Sequence, residues 1–312
     1  MGISVWIRDR PQRRHMGSLP AEVDLHVIPD EGPLPTELRD AEFVVPPVRA
    51  KAVLELLREM PRLAVVQSGS AGTDWLEPWV PAGVTLCNAR GTRDNAVAEW
   101  VLSVVLAMEK RLSHFARRQA EHDWQPHELD ELSGKHALIV GYGSIGKRTG
   151  ELLRAFGLEV DGVASSARED VHGVGELPEL LPKYDIVVVL VPLTAATRGL
   201  FDGRMLARMR EGALLVNASR GPVLETDALV EQLASGRLRA ALDVTDPEPL
   251  PADHPLWDAA ELLLTPHLAG DSPQAEERVY ELIGDQIRRY AAREPLLNVV
   301  SSIYRAQNSS EP

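Results

Sequence analysis

The segment HALIVGYGSIGKRTGELLRAFGLEVDGVASSAR, His136 to Arg168, restricts the fold more than any other stretch of this chain. An apolar run, HALIV, meets Gly141, Gly143 and Gly146 in the spacing G-x-G-x-x-G. An amphipathic helix through Phe156 follows, and then a second apolar run, LEVDGVA. Strand, glycine turn, helix and strand in this order predict a βαβ unit with parallel strands. Each glycine has its own duty. Gly141 permits the tight turn, Gly143 lets a pyrophosphate approach the backbone, and Gly146 lets helix and strand pack closely. The helix N-terminus offers N–H groups to the anion. The segment therefore predicts a dinucleotide site.

The same rhythm runs through the rest of the chain. Before residue 93, ISVWI, VDLHVI, EFVVP, LAVVQS and VTLCN read as strands, and VRAKAVLELLREM as a helix. From His136 onward, HALIV, LEVDGVA, YDIVVVLV, ALLVN, RAALD and LLLT are strand candidates, with DGRMLARM and ETDALVEQLASG between them as helical or turn segments. VVVLV is apolar at every residue, as in a central strand covered on both faces. The spacing predicts an α/β protein with parallel sheets. A long helix over NAVAEWVLSVVLAMEKRL carries Val97, Trp100, Val101, Val104, Val105, Met108 and Leu112 on one stripe. It joins two domains, and part of its stripe is available to a partner subunit. A last helix spans about 274–292, and the tail PLLNVV after it is too apolar to be solvated. That tail is expected to pack back on the first domain. The expected division is a discontinuous domain, 1–93 plus 288–312, around a dinucleotide-binding domain, 94–287. There is no internal repeat, and the end, QNSSEP, reads as disordered.

Composition excludes several classes. With 33 basic against 46 acidic residues the net charge is −13, which argues against a nucleic-acid partner. No stretch approaches the roughly 18 apolar residues of a membrane span, and the N-terminus lacks the apolar core of a signal peptide. One cysteine, Cys87, sits in VTLCNA and reads as a small buried hydrophobe. A lone cysteine fits a reducing compartment, so the expected location is the cytoplasm. His122 and His127, in HDWQPH, have neither cysteines nor metal-like spacing around them, so no metal site is expected. Trp75, Trp79 and Trp100 read as packing residues.

An acid that bonds the ribose of NAD normally ends the second strand of such a unit. Here that tip falls at Ala164, and Asp161 lies three residues too early. Ser165, Ser166 and Arg168 follow: two hydroxyls and a cation. A 2′-phosphate would be repelled by a carboxylate and held by such a group. The reading favours NADP over NAD.

Three further segments, LLVNASRGPVLETDAL, AALDVTDPEPL and LLTPHLAG, each pass from an apolar strand into a polar turn. Ligands of parallel sheets bind at such carboxyl ends. They offer Arg220, one acid among Asp243, Asp246 and Glu248, and His267. A cation, a carboxylate and an imidazole converging on a nicotinamide are the parts that reduction of a 2-keto acid requires.

These residues, with the glycine turn, resemble the D-isomer-specific 2-hydroxyacid dehydrogenase family over nearly the whole chain. VVQSGSAGTDWL, NAVAEWVLSVVLAMEKRL, VPLTAATRGLF and PLLNVV belong to the resemblance. Within the family, LSVVLAMEKRL and the Ala-Ser-Ser tip are most similar to the glyoxylate/hydroxypyruvate reductase branch. The resemblance implies two Rossmann-like or flavodoxin-like domains with the active site in the cleft between them, and a homodimer. It makes Arg220 the substrate-carboxylate arginine, Glu248 the family's glutamate and His267 the acid/base. Asp243 would receive the nicotinamide carboxamide, and the Ser144 and Ile145 N–H groups the pyrophosphate. Pro192, Thr197 and Ala218 would line the cofactor cleft, with Ala269 standing where many members have glycine. Ala71 and Gly72 would hold the substrate carboxylate through backbone N–H groups.

The implied chemistry follows from side-chain properties. A carboxylate beside an imidazole favours its protonated form, so His267 could donate to the carbonyl oxygen as hydride reaches the carbon. Arg220 could clamp the substrate with its planar fork. A second enzyme reading is a dehydrogenase of 3-phosphoglycerate, although none of Arg49, Arg90 and Arg93 is assigned to a substrate phosphate by the sequence. A third reading, of another class, is a corepressor-like protein that senses nicotinamide redox state.

Overall fold

The computed structural model describes residues 2–48 and 50–300. Arg49 and the tail QNSSEP lie outside the described residues. The chain divides into two compact units, Met1–Arg93 with Asp271–Pro312, and Asp94–Gly270.

The first unit is built on β1 (Ile3–Arg8), β2 (Val23–Ile28), β3 (Phe43–Val45), β4 (Val65–Gln67) and β5 (Thr85–Cys87). All pairings are parallel, in the order β2-β1-β3-β4-β5. Side chains alternate across the sheet, as the two-residue period of a strand dictates. Trp6, Val44, Val66 and Leu86 face one core with Leu54 and Leu57 of the helical segment 51–59. Val5, Ile7, Phe43, Val45 and Val65 face the other.

That second core is closed by the last helix, Pro273–Ala292, through Val279, Tyr280, Ile283 and Ile287. The return to the first unit therefore falls at Asp271 and not at 288. The apolar stripe was legible, but not the sheet it covers. After this helix the chain runs antiparallel to β5, where Val300 N–H donates to Leu86 O at 2.8 Å and Asn88 N–H to Asn298 O at 3.0 Å. Cys87 is fully buried beside it.

The second unit contains β6 (His136–Val140), β7 (Glu159–Ala164), β8 (Val171–Gly173), β9 (Ile186–Val189), β10 (Leu214–Asn217), β11 (Arg239–Leu242) and β12 (Leu262–Leu264). They form one parallel sheet in the order β12-β11-β10-β9-β6-β7-β8. β8 is an addition to the six expected strands. Three residues ending in glycine give no readable alternation, and β8 is held by its pairing with Gly162–Ala164. The order reverses at β6, between β7 and β9, which is where such sheets bind nucleotides.

The helix expected over 95–112 covers one face of this sheet through Val97, Val101, Val104 and Val105. It ends at Glu109, and a second helix, Leu112–Ala120, begins after Arg111 at φ 51°. The Glu109 carboxylate is buried against Lys135 Nζ and Arg239 Nη2. Leu112 lies outside the stripe and is exposed.

Candidate active site

The glycine turn joins β6 to the helix Ser144–Ala155. Gly141 has φ 107°, and a Cβ there would lie 2.5 Å from the backbone carbon of Leu190. Both its conformation and its closeness to the end of β9 require glycine. At Gly146 a Cβ would lie 2.4 Å from Gly141 O, so this glycine sets how closely helix and strand approach. Gly143 differs: a Cβ there meets no protein atom within 4 Å. Protein packing does not demand glycine at 143, which leaves approach of a ligand as its use. Gly143 also caps the helix without a side-chain hydrogen bond, so the first N–H groups, at Ser144 and Ile145, face outward uncapped by a side chain. These features fit a dinucleotide pyrophosphate.

The tip of β7 is tied to the same turn. Gly141 and Tyr142 N–H groups donate to Val163 O at 2.9 and 3.0 Å. The Tyr142 ring lies on β7 at Gly162, where a Cβ would come within 2.4 Å of it. Asp161 does not reach the tip; it accepts from the Tyr184 hydroxyl at 2.7 Å, and burial together with this carboxylate raises the phenol's pKa. Ser165, Ser166 and Arg168 are exposed past Ala164. The Arg168 guanidinium folds back and donates to Tyr142 O at 2.7 Å, which sets a cation over the glycine turn.

The ends of β10, β11 and β12 carry the second group. Asn217, buried at the end of β10, accepts from the N–H and hydroxyl of Ser219 at 3.0 and 2.6 Å and donates to Arg220 O at 3.1 Å. This clamp shapes the turn from which the half-buried Arg220 projects, and Arg220 Nη1 donates to Ser219 O at 2.8 Å. Gly221 then packs on the segment after β11, since a Cβ there would lie 2.0 Å from Thr245 O. Sequence reading missed Asn217, whose side chain bonds the turn that follows it, and Gly221, whose value lies in its contact with the distant Thr245. A Gly221→Ala chain should lose stability by about 1–3 kcal/mol, the usual range for overpacking, and turnover should fall with it. A Tm and kcat equal to those of the parent chain would contradict this account of the turn.

Among the acids left open, the carboxylate that meets the imidazole is Glu248: its Oε1 is 2.9 Å from His267 Nδ1. Asp246 is exposed, and its backbone carbonyl accepts from Thr226 Oγ1 at 2.9 Å. Asp243 is almost fully buried and organises the histidine loop. Its Oδ1 accepts from Thr265 Oγ1 at 2.6 Å and Leu268 N–H at 2.9 Å, and its Oδ2 from Ala269 N–H at 2.8 Å. Its backbone carbonyl accepts from His267 N–H at 2.7 Å. These bonds hold His267 at φ 55°, a left-handed conformation uncommon outside glycine. Nearer the sheet centre, Thr197 Oγ1 donates to Pro192 O at 2.6 Å and accepts from Thr194 N–H at 2.8 Å, closing the loop after β9. Ala218 N–H bonds Val189 O across to β9.

In the first unit, Ala71 and Gly72 lie in the turn after β4. Ser70 O accepts from Ala89 N–H at 2.9 Å, Ala71 O from Asn88 Nδ2 at 3.0 Å and Gly72 O from Ser70 Oγ at 2.8 Å. All three carbonyls are thus engaged, whereas the N–H groups of Ala71 and Gly72 donate to no acceptor among the described residues. Among those residues no group of His, Cys, Asp and Glu could hold a metal ion, and no helix is long and apolar enough to cross a membrane.

A glycine turn at the reversal point of a parallel sheet, with an imidazole–carboxylate pair and an arginine after neighbouring strands, defines a nicotinamide-dinucleotide oxidoreductase. Comparison narrows the class. Residues 102–269 match the family D-isomer specific 2-hydroxyacid dehydrogenase, NAD binding domain. A glyoxylate reductase of Thermofilum pendens is 33% identical over 271 residues, covering 81% of this chain and 79% of that protein. A D-3-phosphoglycerate dehydrogenase of Mycobacterium tuberculosis is 29% identical over 302 residues; the match covers 93% of this chain but 57% of that longer protein. Among solved structures, an NADPH-dependent glyoxylate/hydroxypyruvate reductase from Sinorhizobium meliloti in complex with NADP and sulfate has a TM-score of 0.84 at 26% identity, covering 97% of this chain and 99% of that one. The chain belongs to the D-isomer-specific 2-hydroxyacid dehydrogenase family, and it is an NAD(P)-dependent oxidoreductase.

Proposed function

We propose that this enzyme reduces a small 2-keto acid of the glyoxylate or hydroxypyruvate kind to the D-2-hydroxy acid, with NADPH preferred. The observation that carries the reaction is the 2.9 Å pair of His267 Nδ1 and Glu248 Oε1. With Nδ1 held by the carboxylate, Nε2 is the nitrogen left to give a proton to the substrate's carbonyl oxygen. Arg220 binds the substrate carboxylate and favours charge on that oxygen, and the N–H groups of Ala71 and Gly72 assist in binding the carboxylate. Gly141, Gly143, Gly146, Ser144 and Ile145 receive the pyrophosphate. Pro192, Thr197, Ala218 and Ala269 border the dinucleotide, and Asp243 Oδ2 accepts from its carboxamide. When bound, the nicotinamide supplies the hydride.

The cofactor preference rests on Arg168 over the glycine turn, with Ser165 and Ser166 beside it and no acid at the tip of β7. Arg168→Ala should raise KM for NADPH about tenfold to a hundredfold, the worth of charge-assisted hydrogen bonds to a phosphate, and leave KM for NADH within about twofold. Equal effects on both would remove Arg168 from the 2′-phosphate site.

Assays with glyoxylate, hydroxypyruvate and D-3-phosphoglycerate test the substrate class. We expect turnover of the two keto acids and none of the phosphorylated acid; the reverse would move the assignment to the biosynthetic dehydrogenase. We further propose a cytoplasmic homodimer, on the strength of the single cysteine and of the apolar side chains Leu112, Trp124 and Leu129 exposed after the long helix. Sedimentation equilibrium giving the mass of one chain would contradict the dimer.

A further inference from the structure

The first unit contains a charge cluster, with one member buried, outside the groups assigned above. Arg8 ends β1, at the reversal point of that sheet, and is 8% exposed. Its guanidinium lies directly against Gly69: a Cβ at 69 would be 3.2 Å from Nη2, 3.5 Å from Cζ and 3.8 Å from Nε. Nη2 pairs with Glu276 Oε1. The other oxygen of Glu276 is 3.0 Å from Arg93 Nη2, and Arg93 Nη1 is also 2.7 Å from Oδ1 of the exposed Asp271, so Arg8 shares its one carboxylate with a cation that has a second, solvent-facing one. Arg8 Nε is buried with no hydrogen-bond partner. A guanidinium buried with a shared counter-ion and an unmet donor is destabilising by itself, so its retention calls for a use.

The use lies one turn of chain away. Gly69 begins the turn in which Ser70 N–H bonds Ser68 Oγ at 3.1 Å and Ser70 Oγ bonds Gly72 O at 2.8 Å. This turn presents the undonated N–H groups of Ala71 and Gly72. We propose that Arg8 is a positioning residue for substrate binding, the cationic floor that fixes the Ser68–Gly72 turn and favours an anion at its N–H groups. Glu276 holds the guanidinium flat beneath Gly69. The inference rests on the proposed reading of Ala71 and Gly72 as carboxylate donors. A larger residue at 69 would displace the floor, and loss of the charge at 8 would weaken the anion site without touching the acid/base pair in the second unit.

The test compares Arg8→Met and Arg8→Lys with the parent chain, using glyoxylate and hydroxypyruvate with saturating NADPH. Arg8→Met should raise KM for both acids about tenfold, the equivalent of one unit charge lost at moderate distance. Its kcat should stay within about threefold and its NADPH Kd should be unchanged. Arg8→Lys should recover most of the KM. An unchanged KM in Arg8→Met overturns the inference alone. So does an equal fall of kcat, KM performance and Tm in both variants, which marks Arg8 as a purely structural residue. Inactivity of the parent chain on both acids overturns the proposed reaction and this inference with it.

Discussion

Replacing His267 by asparagine should lower kcat for hydroxypyruvate about 10²- to 10⁴-fold, the range general acid–base catalysis contributes. Asparagine is the informative choice because His267 has φ 55°, a conformation asparagine tolerates better than alanine. The three hydrogen bonds that Asp243 receives from Thr265, Leu268 and Ala269 do not involve the imidazole, so the loop should survive the change. Only the imidazole, the proposed proton donor, and its bond to Glu248 are lost. Cofactor Kd and Tm should therefore stay near those of the parent chain. A kcat within tenfold of the parent's, with the fold intact, would remove His267 from the proton transfer.

The second large effect is expected at Arg220. Arg220→Ala should reduce kcat/KM by about 10²- to 10³-fold, because a bidentate, charge-assisted contact with a carboxylate is worth about 3–4 kcal/mol. Dinucleotide affinity should hold, since the glycine turn lies after a different strand. Arg220→Lys should restore only part of the loss, because lysine keeps the charge but not the fork. The clamp by Asn217 is backbone-directed and remains in both variants. Full activity in Arg220→Lys would show that charge alone suffices and that the fork has no role. Turnover unchanged in Arg220→Ala would remove the residue from the substrate site.

The two classes of site residue were legible to different degrees. Gly141 and Gly146 could be read because the demands on them are local, a tight turn and a close helix–strand approach within one βαβ unit, whereas the anion proposed at Gly143 comes from the motif alone. The parallel sheets followed from the alternation of apolar runs with helices, and every observed strand pairing is parallel. The residues alone left Glu248 and Asp246 open, the family resemblance pointed to Glu248, and the coordinates pair Glu248 with the imidazole. The two acids lie within three residues of each other, and only the path of the chain after β11 turns one of them toward His267. The fit of Gly221 on Thr245 joins segments more than twenty residues apart, and no local pattern records it; the clamp at Asn217 is local, reaching only Ser219 and Arg220, but forms no recognised motif.

Boundaries failed for a similar reason. The helix 273–292 has a clear apolar stripe, but a stripe does not say which sheet it covers. The helix breaks at Arg111, two residues after Glu109, whose contacts with Lys135 and Arg239 span 26 and 130 residues and leave no local pattern. β8 escaped because three residues carry too little pattern. Asp243 was expected to meet the cofactor; its observed bonds, to Thr265, Leu268 and Ala269, anchor the loop that carries His267.

The most direct test of the proposed reaction is a comparison of kcat/KM for NADPH and NADH with hydroxypyruvate as acceptor, with the configuration of the glycerate product determined. The account predicts a higher value with NADPH and a product that is D-glycerate. L-Glycerate, or no oxidation of either dinucleotide, would contradict it.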